Sequence, residues 1–114
     1  MASEAEWAYL AGLLDADGSI GLIYSSNRTP HIVIRLRMSD KDIIWRAQKV
    51  TGLGTIRGPY RPYKLGKKDM YTWYVGKQRD VKILLGNVYP HMGDRSQEKI
   101  EDFLEIRKAK VTES

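Results

Sequence analysis

The chain has no cysteine, and that one absence removes disulfides, thiolate zinc sites and cysteine nucleophiles together. It leaves the compartment open, because a lack of disulfides only permits a reducing cytoplasm. Long apolar runs are missing as well. None approaches the ~20 residues that a membrane span needs, so a soluble protein with no membrane partner is expected. The opening MASEAEW is acidic, unlike a basic or apolar targeting leader, so none is expected there. No linker or low-complexity segment interrupts the chain, and 114 residues suit one domain, 1–114, with a single modest core.

What is present is positive charge. The net charge is +5, which suits an anionic partner, most often nucleic acid, or a merely solvated basic surface. Distribution favours the partner. Between Arg57 and Lys68, RGPYRPYKLGKK holds five cations, two tyrosines and no acid. The acids gather at the N-terminus and near the C-terminal end.

Hydrophobic spacing predicts a helix over 4–15, with Trp7, Leu10, Ala11 and Leu14 on one buried stripe and Gly18 as a flexible exit. Residues 19–25 alternate, with Ile20, Leu22 and Tyr24 on one side. SSNRTP is a turn cluster. Residues 31–38 alternate more sharply: Ile32, Ile34, Leu36 and Met38 face one way, His31, Val33, Arg35 and Arg37 the other. Ser39 or Asp40 caps a second helix that stops at Gly52. Residues 54–60 and 70–75 form a second strand pair around the basic loop. A third helix covers 80–88 and ends before Pro90. Asp94, with Gln97 at capping-box spacing, opens a fourth whose stripe is Ile100, Phe103, Leu104 and the Arg107 stem. The expected fold is α+β, an αββαββα core whose four-stranded antiparallel, saddle-shaped sheet carries helices on one face. Its free face would hold Arg35, Arg37 and Arg57, a bed for a duplex, since a β-ribbon fits a major groove about 12 Å wide.

The first helix ends on LAGLLDADG, residues 10–18, and so on two carboxylates. A helix C-terminus carries partial negative charge and prefers cations by a few tenths of a kcal/mol. Two readings fit. Asp-Ala-Asp-Gly is a turn, in which Asp and Gly are common, or a divalent cation supplies the partner that each acid lacks. The same helix carries small residues at Ala8, Ala11 and Gly12, leading to Asp15. Such a face lets two backbones approach, so two copies could pair through it symmetrically.

LAGLLDADGSI resembles the signature of the LAGLIDADG homing endonucleases. The surroundings agree. A hairpin follows, then a strand ending RMSDKD before an amphipathic helix, the TGLGTI turn and strand, the aromatic strand YTWYV, and PHMGDR leading into the last helix. The resemblance covers nearly the whole chain, with the motif helix at about 4–17. It implies a site-specific endonuclease that makes metal-dependent double-strand breaks with 3′ overhangs at a long palindromic or near-palindromic DNA site. One copy of the motif implies a homodimer paired through Ala8, Ala11, Gly12 and Asp15. Asp17 would bind Mg²⁺ (Mn²⁺ substituting) with the Ala16 backbone carbonyl beside it. By position, Arg37, Lys41 and Arg95 would complete the catalytic site. Arg37 stands where a neutral side chain is common in the family, and Asp94 could partly neutralise Arg95.

Outward strand residues would read or hold the duplex. On the first hairpin these are Ser19, Gly21, Ile23, Ser25, Asn27, Arg28, Val33 and Arg35. Further along they are Thr55, Arg57, Arg61, Met70, Thr72 and Tyr74, with Lys64, Lys67 and Lys68 on phosphates. The assignment assumes no bulge, since one extra residue would flip every later position. His31 reads as groove-facing and His91 as a surface or cap residue. Two other classes share the motif: maturases, which bind intron RNA, and non-cleaving DNA-binding regulators. The compartment would be the cytoplasm or an organelle of whichever genome encodes the protein.

Overall fold

Ser3 starts the first helix, α1 (Glu4–Asp17), through a capping box in which its hydroxyl accepts from the Glu6 N–H and the Glu6 carboxylate accepts from the Ser3 N–H. The backbone N–H and hydroxyl of Ser3 together hold the Glu6 carboxyl below its ordinary range. Trp7, Leu10, Ala11 and Leu14 are buried, as their spacing predicts. The computed structural model describes residues 2–61 and 68–113, with side chains described through Ala109.

After α1 come β1 (Gly18–Tyr24), β2 (Pro30–Met38), α2 (Lys41–Thr51), β3 (Thr55–Tyr60), β4 (Met70–Val75), α3 (Gln78–Val88), a 3₁₀ turn (Tyr89–His91) and α4 (Asp94–Glu113). The strands form one antiparallel sheet in the order β1-β2-β4-β3. Ile20, Ile34, Leu36, Trp73 and Val75 point from it into a core that the helices complete with residues such as Leu10, Ile44 and Leu84. The opposite face carries exposed Arg35, Arg37 and Arg57. The α+β architecture expected from the sequence is therefore the architecture observed. Among the described residues no helix is long and apolar enough to cross a membrane.

Several local readings change. Gly18 is no flexible exit: its backbone is extended, and a Cβ there would lie 2.7 Å from Leu14 atoms. Glycine is required by this close approach of strand to helix. α3 begins at Gln78 rather than Asp80, because the Gln78 amide bridges both the N–H and the C=O of Ile32 at 3.1 and 2.8 Å. Tyr24, placed with the core residues by alternation, is exposed. Asp94 and Gln97 do not form a capping box; the Gln97 amide donates to the Tyr89 carbonyl instead. Leu104, assigned to the buried stripe of α4, is 49% exposed.

The one register shift lies in β3. Arg57 pairs with Thr72 and Tyr60 with Met70, so three steps on β3 match two on β4. That bulge is built on Gly58, whose φ of 123° and 2.8 Å approach to the Met70 carbonyl leave no room for a Cβ. It turns Tyr60 to the outward face, where strict alternation would have put it inward.

Candidate active site and nucleic-acid interface

The helical run of α1 carries through both acids of the motif, so Asp15 and Asp17 lie in its last turn, where there is no basic residue. Their fates differ. Asp15 reaches across to the start of α4, accepting from the Gly93 N–H at 2.9 Å and from the Ser96 hydroxyl at 2.5 Å. It therefore acts as an N-terminal cap supplied from 78 residues away, placing negative charge at the positive end of α4. The cap is an intrachain role for the residue that the resemblance assigned to the dimer interface. Asp17 is exposed and makes no hydrogen bond or ion pair with any described residue.

The three cations expected around Asp17 are carried by β2, α2 and α4. Gly18 pairs with Leu36, so the end of α1 lies beside the end of β2, where Arg37 follows. Lys41 is the first residue of α2, three positions beyond the end of that strand. Arg95 sits in the first turn of α4, between the two residues that Asp15 binds. All three are exposed. Arg37 lies 4.8 Å from the centroid of the Tyr60 ring, and the Lys41 ammonium 5.2 Å from that of Trp45. Among the described residues no ion pair joins Arg95 to Asp94.

Cross-strand rows organise the outward sheet face. Ser19, Arg35, Tyr74 and Thr55 form one row; Arg37, Thr72 and Arg57 form the next. The Tyr74 ring is flanked by guanidinium groups from the strands on either side, Arg57 at 4.0 Å and Arg35 at 5.6 Å from its centroid. Each such contact contributes about 0.5–1 kcal/mol at an exposed site. Their larger effect is to hold long, flexible side chains in place. With Gly58, Pro59 and Tyr60 these residues bound an open pocket of about 400 Å³ that contains three arginines and no acid.

The other sequence-predicted contact residues divide unevenly. Ser19, Ile23, Asn27, Arg28, Thr55, Arg61 and Lys68 are exposed; Gly21, Ser25, Met70 and Thr72 are partly so. Val33 is 3% exposed although it faces outward, so it floors the surface and offers little contact. Arg28, at positive φ, shapes the β1–β2 turn, in which the Asn27 side chain accepts from the Thr29 N–H and the Ser25 hydroxyl. Arg61 is paired with Asp69 at 3.6 Å. His31 is half-buried opposite Ile23. His91 meets the Glu4 carboxylate at 2.6 Å, tying the 3₁₀ turn to the start of α1. Lys64 and Lys67 lie outside the described residues.

Of the four positions expected at a dimer interface, Ala8 and Gly12 are exposed and Asp15 is exposed but bonded to α4. Ala11 is corrected: it is fully buried in the core of its own chain and has no surface to give to a partner. Tyr60 is the residue that sequence reasoning missed, and Gly58-Pro59 was the signal that could have found it, since Gly and Pro inside a strand mark bulges.

The model for the LAGLIDADG-like domain matches residues 4–106. The chain belongs to the LAGLIDADG family. Comparison of the sequence with curated proteins yields no match. Among solved structures, the homing endonuclease I-CvuI, in complex with its target in the presence of 2 mM Ca, is similar at 24% identity with a TM-score of 0.69. That similarity covers 92% of this chain and 67% of the I-CvuI chain. An archaeal intron-encoded homing endonuclease, I-Vdi141I, complexed with DNA, is similar at 16% identity and a TM-score of 0.66, over 96% of this chain and 70% of that one. The meganuclease I-AabMI bound to uncleaved DNA is similar at 12% identity and a TM-score of 0.71, over 94% of this chain but only 37% of its own. At these identities the likeness establishes the fold.

The Asp15 cap is directly testable. Asp15→Ala is expected to destabilise the domain by about 0.5–2 kcal/mol, the usual range for a lost N-terminal cap. Urea unfolding at low protein concentration measures it. An unchanged midpoint would show that the carboxylate contributes nothing within one chain.

Proposed function

We propose that the protein is a site-specific, divalent-metal-dependent DNA endonuclease that acts as a homodimer and leaves 3′ overhangs at a long palindromic or near-palindromic site. The observation that carries this reading is Asp17. An unpartnered carboxylate at the negative end of a helix opposes stability, and it adjoins a cationic, aromatic sheet face suited to phosphates and bases. Without a cation it would repel the ligand which that face attracts. Family membership and the DNA complexes of similar folds support the same conclusion.

The residues present fit a hard cation. Among the described residues no group of three or more His, Cys, Asp or Glu could enclose a metal. Mg²⁺ asks for less: it binds through one or two carboxylates and completes its shell with water and substrate phosphate. Asp17 would hold it, with the Ala16 carbonyl adjacent. When bound, the ion would lower the pKa of a water and neutralise charge on the phosphate. Arg37, Lys41 and Arg95 would position the scissile phosphate and stabilise the charge that builds on it. No His general base is required: His91 is paired with Glu4, and His31 lies on β2 opposite Ile23.

Two protomers would pair through the exposed small face of α1, where an added Cβ on Gly12 would meet nothing within 4 Å. That pairing places one Asp17 from each chain at the base of the joined helices, one for each DNA strand. β2 has nine residues; at about 3.3 Å each it spans about 30 Å. At about 3.4 Å per base pair this reaches roughly nine base pairs for each half-site.

The test is cleavage of a randomised palindromic plasmid library by the wild-type chain with Mg²⁺ and with Ca²⁺. Discrete double-strand cuts with Mg²⁺ are expected. Selective retention of some sequences without cuts would make the protein a DNA-binding regulator; neither cutting nor selection would favour an intron-RNA role. On the selected site, Tyr74→Leu is expected to relax discrimination about tenfold at one or two base pairs, because Arg35 and Arg57 lose the ring that orients them. Tyr74→Phe keeps the ring and should keep discrimination. Competition binding against singly substituted sites separates this from a structural defect, which would weaken all sites equally.

A further inference from the structure

An apolar groove of about 860 Å³ runs between α3 and α4, on the helix layer and away from the cationic sheet face. Ile32 and Val81 lie at its floor, and Leu85, Ile100 and Leu104 at its walls. Leu104 is half exposed for want of anything to pack on.

Two features specify an occupant. The first is shape. Gly86 lies in the last turn of α3 on the groove wall, and an added Cβ would meet nothing within 4 Å. No local contact requires a glycine here, and without a side chain it widens the groove. A helix about 10 Å across, rising about 1.5 Å per residue, occupies roughly 800 Å³ over two turns. The groove has that volume, and helices whose own backbones are satisfied form both its sides. The second feature is charge. Arg79 and Lys82 line the α3 side and Arg107 the α4 side. The one acid among the described lining residues, Glu101, accepts a hydrogen bond from the Tyr89 hydroxyl. That bond raises the Tyr89 pKa above its ordinary value; the rim is cationic because Arg79, Lys82, Arg107 and Lys108 outnumber this acid among the described lining residues.

We propose that this groove docks an amphipathic helix of a partner protein, seating two turns of its apolar stripe between α3 and α4 with acidic residues along both flanks. Recognition of this kind places anchors at i, i+3, i+4 and i+7 in an apolar channel, and the flanking charges set orientation and specificity. The surface is distinct from the DNA face, so the same protomer could hold both ligands.

Fluorescence anisotropy with two labelled model helices tests the proposal. Both carry Leu at i, i+3, i+4 and i+7; one has Glu along its flanks and the other Lys. The wild-type chain is expected to bind the Glu probe at least tenfold more tightly than the Lys probe. Gly86→Phe, whose Cβ would meet nothing within 4 Å and whose ring would occupy the groove, and Leu104→Asp, at a half-exposed position, should each weaken the Glu probe at least tenfold with unchanged far-UV circular dichroism. Equal binding of both probes, no binding, or a Gly86→Phe protein that binds like the wild type would overturn the assignment. So would wild-type self-association in sedimentation that Gly86→Phe abolishes, since a second copy would then cover the groove. Displacement of a fluorescent long-chain carboxylate by laurate but not by the Glu probe would overturn it in favour of a small amphiphile.

Discussion

Asp17→Asn is expected to abolish Mg²⁺-dependent cleavage, by at least about a thousandfold, while leaving DNA binding close to the wild-type level. The amide matches the carboxylate in shape, so α1 and the close Gly18–Leu14 approach persist. It removes the negative charge that would hold the cation, and with it the charge stabilisation of the phosphate transition state, whose loss at other enzyme sites costs about 10²–10³ per removed group. Stability should rise slightly or stay level, because Asp17 is an unpartnered acid at a helix C-terminus and its charge there is unfavourable by a few tenths of a kcal/mol. The combination is diagnostic. A functional carboxylate loses activity without losing stability, whereas a structural one loses both. Single-turnover cleavage of the selected site, paired with a thermal melt, reads the two quantities on one preparation. Residual cleavage within tenfold of wild type would remove Asp17 from the site.

Trp73→Ala carries the largest expected effect on stability. Trp73 is fully buried at the centre of β4, between its neighbours β2 and β3, and its indole N–H donates to the Leu53 carbonyl at 2.9 Å. Truncation to alanine should cost about 3–5 kcal/mol from lost transfer energy and cavity formation, and the orphaned carbonyl adds about 1–3 kcal/mol if no water reaches it. Against a total of about 5–15 kcal/mol for a typical domain, that leaves the variant marginal, with a fall in Tm of about 15 °C or more. Trp73→Phe retains most of the packing and loses the indole hydrogen bond, for roughly 1–2 kcal/mol. Calorimetry distinguishes the pair. A Trp73→Ala domain that melts within about 5 °C of wild type would mean that the β3–β4 half contributes little to the cooperative unit. The same substitution should also loosen Tyr74 and Arg57 on the opposite face, so base discrimination should fall along with stability.

The sequence by itself located the four strands and four α-helices among the described residues, the buried stripe of α1, the inward set of β2, and the stop of α2 at Gly52, and it narrowed the start of α2 to Ser39 or Asp40, of which Asp40 is the cap. These follow from period-2 and period-3.6 patterning and from turn chemistry, which act between residues close in the chain. The resemblance also named Asp17, Arg37, Lys41 and Arg95 as one group; the β1–β2 register sets the end of β2 beside the end of α1, and the Asp15 cap joins α1 to the start of α4. Contacts between residues distant in sequence decided the rest. Whether Asp15 faces a partner or caps α4 depends on where Gly93 and Ser96 come to lie, and no local pattern encodes that. The Gln78 bridge to Ile32 moved the start of α3. Ala11 satisfied both the core stripe and the small-residue face, and only packing could award it to the core. The extra residue in β3 brought Tyr60 under Arg37. Leu104 had the spacing of a core residue, yet α4 diverges from α3 and leaves it on an open groove. Each outcome turns on the relative placement of elements, which is set by the joint packing of one core and not by any single segment.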